Sequence, residues 1–251
     1  MRKRSVSGAR SVSKGLVILY EDKDILVVDK PVGLLSVAAE REKNRTAHAI
    51  LKEYIRKGCG RSRKDLFVVH RLDRDTSGTL IFAKSEEAML RLKDRWKQTE
   101  KKYLAVVHGT PEKSSDTITS YLAEDDNYTV YSTTDSTKGR LSQTLYKVLK
   151  VKKGISLLEV VLLTGRKNQI RVHLAGIGHP IVGDTKYGRE GESQPRMALH
   201  ARLISFKHPF SGKQLTMESE VPLFFTTLVG SFDPAKPPAA PVKSRPIPSA
   251  E

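Results

Sequence analysis

Residues 68–85 read Val-Val-His-Arg-Leu-Asp-Arg-Asp-Thr-Ser-Gly-Thr-Leu-Ile-Phe-Ala-Lys-Ser. Phe67–Val69 and Thr79–Ala83 are short, apolar and rich in β-formers, so the stretch predicts a strand, a polar loop and a second strand. Between them stand two Asp, two Arg, a His and a Thr-Ser-Gly turn. Polar groups on a loop held between rigid elements are where binding and catalysis concentrate. A plain capped surface turn would use the same residue types.

Working outward from that stretch, Leu16–Tyr20 and Ile25–Val28 are β-rich runs around the turn-like EDKD, and Lys30-Pro31-Val32-Gly33 stops the second run. Thr46–Lys57 places Ala47, Ile50, Leu51, Tyr54 and Ile55 at helical spacing. Ser85–Gln98 predicts an amphipathic helix with Ser85 as N-cap and Glu86 and Glu87 in its first turn. Tyr103–His108, Thr117–Ala123, Tyr128–Thr133, Leu141–Val151 and Ile155–Leu163 follow as strands. Asn168–Ala175 predicts a helix, Ala198–Phe206 and Gln214–Met217 return to strand, and Pro222–Val229 makes a last short helix. Many strands broken by a few helices, without regular βα alternation, point to α+β with a mixed, mostly antiparallel β-sheet core and flanking helices.

The charge balance limits the function. Among 251 residues, 44 Lys and Arg face 28 Asp and Glu, a formal net charge of +16. Residues 1–14 carry five cations and no acid, which reads as a flexible basic arm. Residues 233–251 are Pro/Ala-rich with a net charge of +1, a composition that predicts a disordered tail. The remaining +10 falls on residues 15–232, which are expected to fold as one domain. Such an excess calls for a polyanionic partner, nucleic acid first. No apolar run approaches the roughly 18 residues that span a bilayer, and no secretory h-region opens the chain. A single cysteine, Cys59, leaves no internal disulfide and suits a reducing compartment, so the expected location is the cytoplasm.

His70-Arg71-Leu72-Asp73 followed by Thr76-Ser77-Gly78 resembles the signature of the RluA-type pseudouridine synthases. Thr164–Leu174, TGRKNQIRVHL, is similar to that family's second block, G-R-x-x-Q-I-R-x-H. Three further stretches agree in order: Tyr20–Asp22 to Asp29–Gly33, Lys102–Ala105 to Gly109, and His179–Asp184 to Tyr187-Gly188. The resemblance covers about Leu16 to Phe232. It implies the pseudouridine synthase fold and an isomerase that converts a uridine within structured RNA to pseudouridine, on ribosomal RNA ahead of transfer RNA. It also implies no metal, no redox cofactor and no nucleotide energy source, and a monomer without membrane contact. No Walker, dinucleotide-binding or HExxH motif stands against this.

Three residues match the family's catalytic groups: Asp73 the essential carboxylate, Tyr103 the active-site tyrosine, and Arg171 the arginine that pairs with the Asp. A carboxylate can attack an electrophilic carbon or stabilise positive charge at C1′, and an adjacent cation would keep it ionised. Arg71 lies two residues before Asp73, so on an extended segment it projects to the same face. There it is expected to fill the space vacated by a flipped base. Arg56, Lys57, Arg61, Arg63 and Lys64, directly upstream, are expected to bind RNA phosphates beside the site. His70 and His173 read as structural hydrogen-bonding residues, Asp75 as a turn residue and Cys59 as a non-catalytic thiol.

Two features depart from the family. Lys167-Asn168 stands where Thr-His is usual, which puts the local hydrogen bonding in doubt. Many relatives place an S4 RNA-binding domain before the catalytic domain, whereas only the basic arm precedes Leu16, so the catalytic body is expected to select its own RNA. A non-catalytic RNA-binding or ribosome-assembly factor on the same fold would explain the charge equally well, and keeping Asp73, Tyr103 and Arg171 together argues against it. A DNA-directed glycosylase has no support beyond the shared need for an Asp.

Overall fold

The computed structural model describes residues 10–38, 45–59, 61–192 and 194–233, so the expected arm before Arg10 and the tail after Asp233 lie outside the described residues. The elements run β1 (Arg10–Ser11), β2 (Val17–Glu21), β3 (Ile25–Lys30), α1 (Ala47–Arg56), β4 (Phe67–Val68), β5 (Ser77–Ala83) and α2 (Glu86–Asp94). They continue through β6 (Glu100–His108), β7 (Ser115–Glu124), β8 (Val130–Thr133), β9 (Arg140–Lys152), β10 (Ile155–Leu162), α3 (Gln169–Gly176), β11 (Leu199–Lys207), β12 (Gln214–Glu218) and α4 (Leu223–Val229). No helix among them is long and apolar enough to cross a membrane.

All twelve strands join one sheet, whose main path is β1-β2-β3-β5-β11-β6-β10-β9-β7-β8, with β12 on β11 and β4 on β5. Every pairing is antiparallel except β5 with β11. The chain is therefore α+β with a mixed, mostly antiparallel core, as expected. Arg10–Ser11, within the expected arm, pairs with Ile18 and Val17 as an edge strand.

Local chemistry sets the helix ends. Thr46 caps α1 by accepting a hydrogen bond from the Ala49 amide, and Ser85 caps α2 through the Ala88 amide. α1 stops at Lys57, which takes a left-handed conformation and returns its amide to Glu53 and Tyr54. α2 is shorter than its amphipathic pattern predicts. A 3₁₀ turn over Trp96–Gln98 replaces its last turn, with the Trp96 ring 4.7 Å from that of His70.

Alternation along β3 explains why Ile-Leu-Val-Val is apolar without a break. Ile25 and Val27 join a cluster with Ala88 and Leu92 of α2, whereas Leu26 and Val28 join a larger one containing Leu51 and Ile55 of α1 and Phe225 of α4. Both faces of the central strand are covered, so neither can be polar.

The parallel seam between β5 and β11 positions the site. His200 pairs with Ser77 and Ala201 with Gly78. Gly78 has φ +113°, and a Cβ there would lie 2.2 Å from the Ala201 carbonyl oxygen, so only glycine lets the two strands meet. That requirement accounts for the Gly of Thr-Ser-Gly and holds the preceding loop against the middle of the sheet.

Candidate active site

The loop from Val69 to Thr76 is fastened at almost every step. The His70 ring is half-buried and accepts a hydrogen bond from the Ile81 amide at 3.1 Å. Burial, with the nearby Lys101 charge, pushes its pKa down to about 3, so the ring is neutral. Ser36 holds Leu72 twice: its hydroxyl donates to the Leu72 carbonyl at 2.7 Å and accepts from the Leu72 amide at 3.0 Å. The Thr76 amide closes the turn onto the Asp73 carbonyl.

Lys30, fully buried, reaches the loop from below. Its ammonium donates to the carbonyls of Pro31, Leu34 and Arg74 at 2.9, 2.7 and 3.1 Å. Burial pulls its pKa down to about 8, while the charges of Asp75, Asp73 and Asp29 work the other way. Three carbonyls aimed at one ammonium satisfy a charge that would otherwise be too costly to bury.

With Leu72 turned inward, Arg71 and Asp73 stay accessible on either side of it, the alternation expected of an extended segment. Arg71 has no partner among the described residues, so its guanidinium is open to a ligand. The Asp73 side chain is 34% exposed. Both of its hydrogen bonds fall on one oxygen: Oδ2 accepts from the Asn168 side-chain amide at 2.7 Å and from Arg171 Nη1 at 3.2 Å. The carboxylate is thus anchored by one oxygen and presents the other.

Arg171 is itself immobilised. Its Nε and Nη2 donate to the two oxygens of Asp184, each at 2.7 Å, in a bidentate pair whose Asp184 side chain is 1% exposed. The Asp184 carboxylate also accepts from the amides of Lys186 and Tyr187. Burial raises the Asp184 pKa, but the Arg171 bond and charge outweigh it and hold the carboxyl below its usual range. Burial likewise opposes the Arg171 charge, and Asp184 first, then Asp73, push its pKa up instead. The Tyr187 ring lies 5.1 Å from the Arg171 guanidinium, and its hydroxyl accepts from the Val130 amide at 3.1 Å.

Gln169 accounts for the spacing of the second block. Its side-chain oxygen accepts from the Thr164 hydroxyl and the Arg166 amide, and its nitrogen donates to the Gln143 carbonyl and the Thr144 hydroxyl. These four bonds fold residues 164–169 into a tight turn at the start of α3. Asn168, at φ 52° in the left-handed region, then carries its amide to Asp73. His173 bonds the hydroxyls of Thr144 and Ser120, and burial pushes its pKa down to about 4, so it too is structural.

Tyr103 lies in β6, paired with Ala201 of β11 and Val160 of β10. Burial first, then the negative charge of Asp73, push its phenol pKa up, so the ring is a neutral neighbour of that carboxylate. Asp73, Tyr103 and Arg171 are brought together as the sequence predicts.

The basic residues expected beside the site precede or flank β4, which pairs with the end of β5 away from Ser77. Phe67 and Val68 pair with Ala83 and Phe82, at the far end of β5 from Ser77. Arg61, Arg63 and Lys64 precede that pairing in the chain. Arg56 is committed to the Lys64 carbonyl at 2.7 Å and to Asp65 at 3.8 Å, and Lys57 is the cap of α1. The segment between them and Asp73 pairs with β5 only through Phe67 and Val68.

Asn168, Asp184, Tyr187 and Lys30 belong to the site but were not singled out as functional from the sequence. Asn168 was visible there only as a departure from the family pattern, and Asp184 only as the end of a matching block. One further group has ligating atoms close together among the described residues: Asp22, Asp24 and His208. His208 Nδ1 accepts from the Phe210 and Ser211 amides, which puts the proton on Nε2, and Nε2 donates to Asp22 at 2.9 Å. That tautomer offers no lone pair to a cation.

The chain is similar to known proteins in sequence and in fold. Residues 24–176 match the family model described as RNA pseudouridylate synthase. An uncharacterized RNA pseudouridine synthase of Mycoplasma pneumoniae is 36% identical over 217 residues, 84% of this chain and 68% of the relative. The ribosomal large subunit pseudouridine synthase C of Rickettsia felis is 35% identical over 216 residues, 83% of this chain and 68% of the relative. Among solved structures, human RNA pseudouridylate synthase domain containing 1 superposes with a TM-score of 0.68 at 27% identity, covering 87% of this chain and 88% of that one. The chain belongs to the RNA pseudouridylate synthase family.

Proposed function

We propose that this member of the RNA pseudouridylate synthase family isomerises one uridine of a structured RNA, ribosomal RNA ahead of transfer RNA, with Asp73 as the reacting carboxylate. The observation that carries the reading is the asymmetry of Asp73: Oδ2 is held by Asn168 and Arg171, while Oδ1 is left for C1′ of the uridine. A rigidly held anion is suited to a reaction in which positive charge develops at that carbon.

The chemistry is a rearrangement within one nucleotide. The bond from N1 to C1′ breaks, the uracil turns, and a bond from C5 to C1′ forms. C5 gives up its proton and N1 gains one, so nothing is consumed. For the carboxylate to reach C1′ the nucleotide must leave its stack. Arg71, exposed and unpaired beside Asp73, has the length and planarity to fill the gap left behind. Arg171, fixed by Asp184, holds Asp73 in place, and the neutral Tyr103 ring supplies a face for the uracil and a hydroxyl for proton transfer. The name of the Rickettsia felis relative supports a ribosomal RNA target, and the single exposed thiol of Cys59 suits the cytoplasm.

The test is to map pseudouridines in ribosomal and transfer RNA from cells with and without the gene. One or a few uridines, in ribosomal RNA, are expected to lose modification in the deleted cells. An unchanged map in both RNA classes contradicts the proposal.

A further inference from the structure

We propose that Tyr128, at the tip of the β7–β8 hairpin, is a stacking platform for an RNA base flanking the target uridine; this rests on the reading of Asp73 as the reacting group and gives that site a specificity surface.

Tyr128 is 73% exposed, the most open aromatic side chain among the described residues. Its backbone is nonetheless tightly fixed. The Asp125 carboxylate accepts from the amides of Asn127 and Thr129, and the Asp125 carbonyl accepts from the Tyr128 amide. Tyr128 itself takes the left-handed region at φ 58°, where glycine or asparagine would sit at lower cost. A large ring kept in that conformation and pointed at solvent contributes little to closing a hairpin.

The position of the ring follows from what holds its carbonyl. That oxygen accepts from the ammonium of Lys167 at 3.1 Å and of Lys186 at 3.3 Å. Lys167 directly precedes Asn168, which bonds Asp73; Lys186 directly precedes Tyr187, which lies against Arg171, which also bonds Asp73. Two independent segments thus tie Tyr128 to the two partners of the reacting carboxylate. The Val130 amide, two residues on, adds a third tie through the Tyr187 hydroxyl. The hairpin tip is therefore part of the site's rim, and the Lys167 ammonium lies 5.5 Å from the Tyr128 ring centroid.

The Lys167 ammonium is ion-paired with Glu124, which leaves Lys186 as the cation open to phosphate at the tip. An exposed aromatic face beside a lysine ammonium is a combination that binds single-stranded nucleic acid: the ring takes a base, and Lys186 takes backbone phosphate. RNA next to a flipped nucleotide is locally unstacked, so its bases have faces to offer.

The experiment measures binding of fluorescein-labelled nonauridylate by anisotropy, with the full chain and with Tyr128→Phe, Tyr128→Leu and Tyr128→Ala. Stacking predicts that Phe binds as the unaltered chain does, while Leu and Ala weaken binding about tenfold. Equal binding by the Ala variant overturns the proposal, and so does a Phe variant as weak as Ala, because that assigns the effect to the hydroxyl. Conversion of RNA purified from cells lacking the gene is followed in parallel at saturating protein. No conversion by the unaltered chain, with the binding difference intact, removes the Asp73 reading and leaves the platform standing.

Discussion

Two loops of this protein look alike in sequence and behave differently in the fold. The loop around Cys59–Asp65 and the loop over Val69–Thr76 adjoin one another, both carry several cations, and both separate regular elements. The second is bonded by Ser36, Lys30, Asn168, Arg171 and the Ile81 amide, most of them buried. The first is held by Arg56, Lys52 and Asp65 near the surface, where ion pairs contribute little. Reactivity needs an exactly placed group, so it sits where distant segments converge. Charge that only docks a polyanion would need no such placement, and a loosely held loop would serve it.

The sharpest way to break that contrast is to loosen the second loop through Arg171. Asp184→Asn leaves a weaker partner for the buried guanidinium, and conversion is expected to fall on the order of 10²-fold, mostly in kcat. Asn168→Ala removes one of the two bonds on Asp73 Oδ2, and about a tenfold fall in kcat with KM little changed is expected. Single-turnover rates at saturating RNA check both, and a rise in KM alone would move these residues from positioning the carboxylate to binding RNA.

Replacing Arg61, Arg63 and Lys64 together by Ala should do the reverse. RNA binding weakens several-fold, and the slope of log affinity against log salt falls by about two, while kcat is unchanged. Titrations at several salt concentrations read this, and an unchanged slope would remove the outer loop from the RNA surface.

The smallest expected effect concerns stability. His70 is neutral in the fold, with its pKa pushed from 6.5 to about 3, so the unfolded chain binds a proton that the folded chain does not. Stability from this group is present above pH 6.5 and is lost as pH falls toward 3, by about 1 kcal/mol per pH unit. Urea unfolding at pH 6.5 and pH 5.5 should show the drop, and His70→Gln should remove its share of about 1 kcal/mol, while the shares of His173 and His200, whose pKa values burial also lowers, remain. Equal slopes in both proteins would mean that another group titrates in that window.

The sequence was most legible where structure is local. Ser85 caps its helix as predicted, and β3 and α1 fall within two residues of their expected ends. It was least legible where the cause lies far along the chain. α2 gives way early beside Trp96, which packs on His70, a contact between separate elements. Tyr128 leaves its expected strand because Asp125, Lys167 and Lys186 hold it in a turn. The parallel seam joins Ser77 to His200, and no local pattern announces it.

The candidate site divides in the same way. Asp73, Tyr103 and Arg171 were found because each lies in a stretch that resembles the family. Asp184 was not, since only the folded chain reveals that it holds the Arg that holds the Asp. Charge is less informative: Arg61, Arg63 and Lys64 are near Asp73 in the chain, but β4, which follows them, pairs with the end of β5 away from Ser77.

The central claim is that the open oxygen of Asp73 performs the reaction while the surrounding network only holds it. Its most direct test is pseudouridine formation by purified Asp73→Asn on RNA from cells lacking the gene, beside RNA affinity for the same variant. The account predicts no measurable conversion with affinity within a few-fold of the unaltered chain. Conversion by Asp73→Asn at an undiminished rate would contradict it.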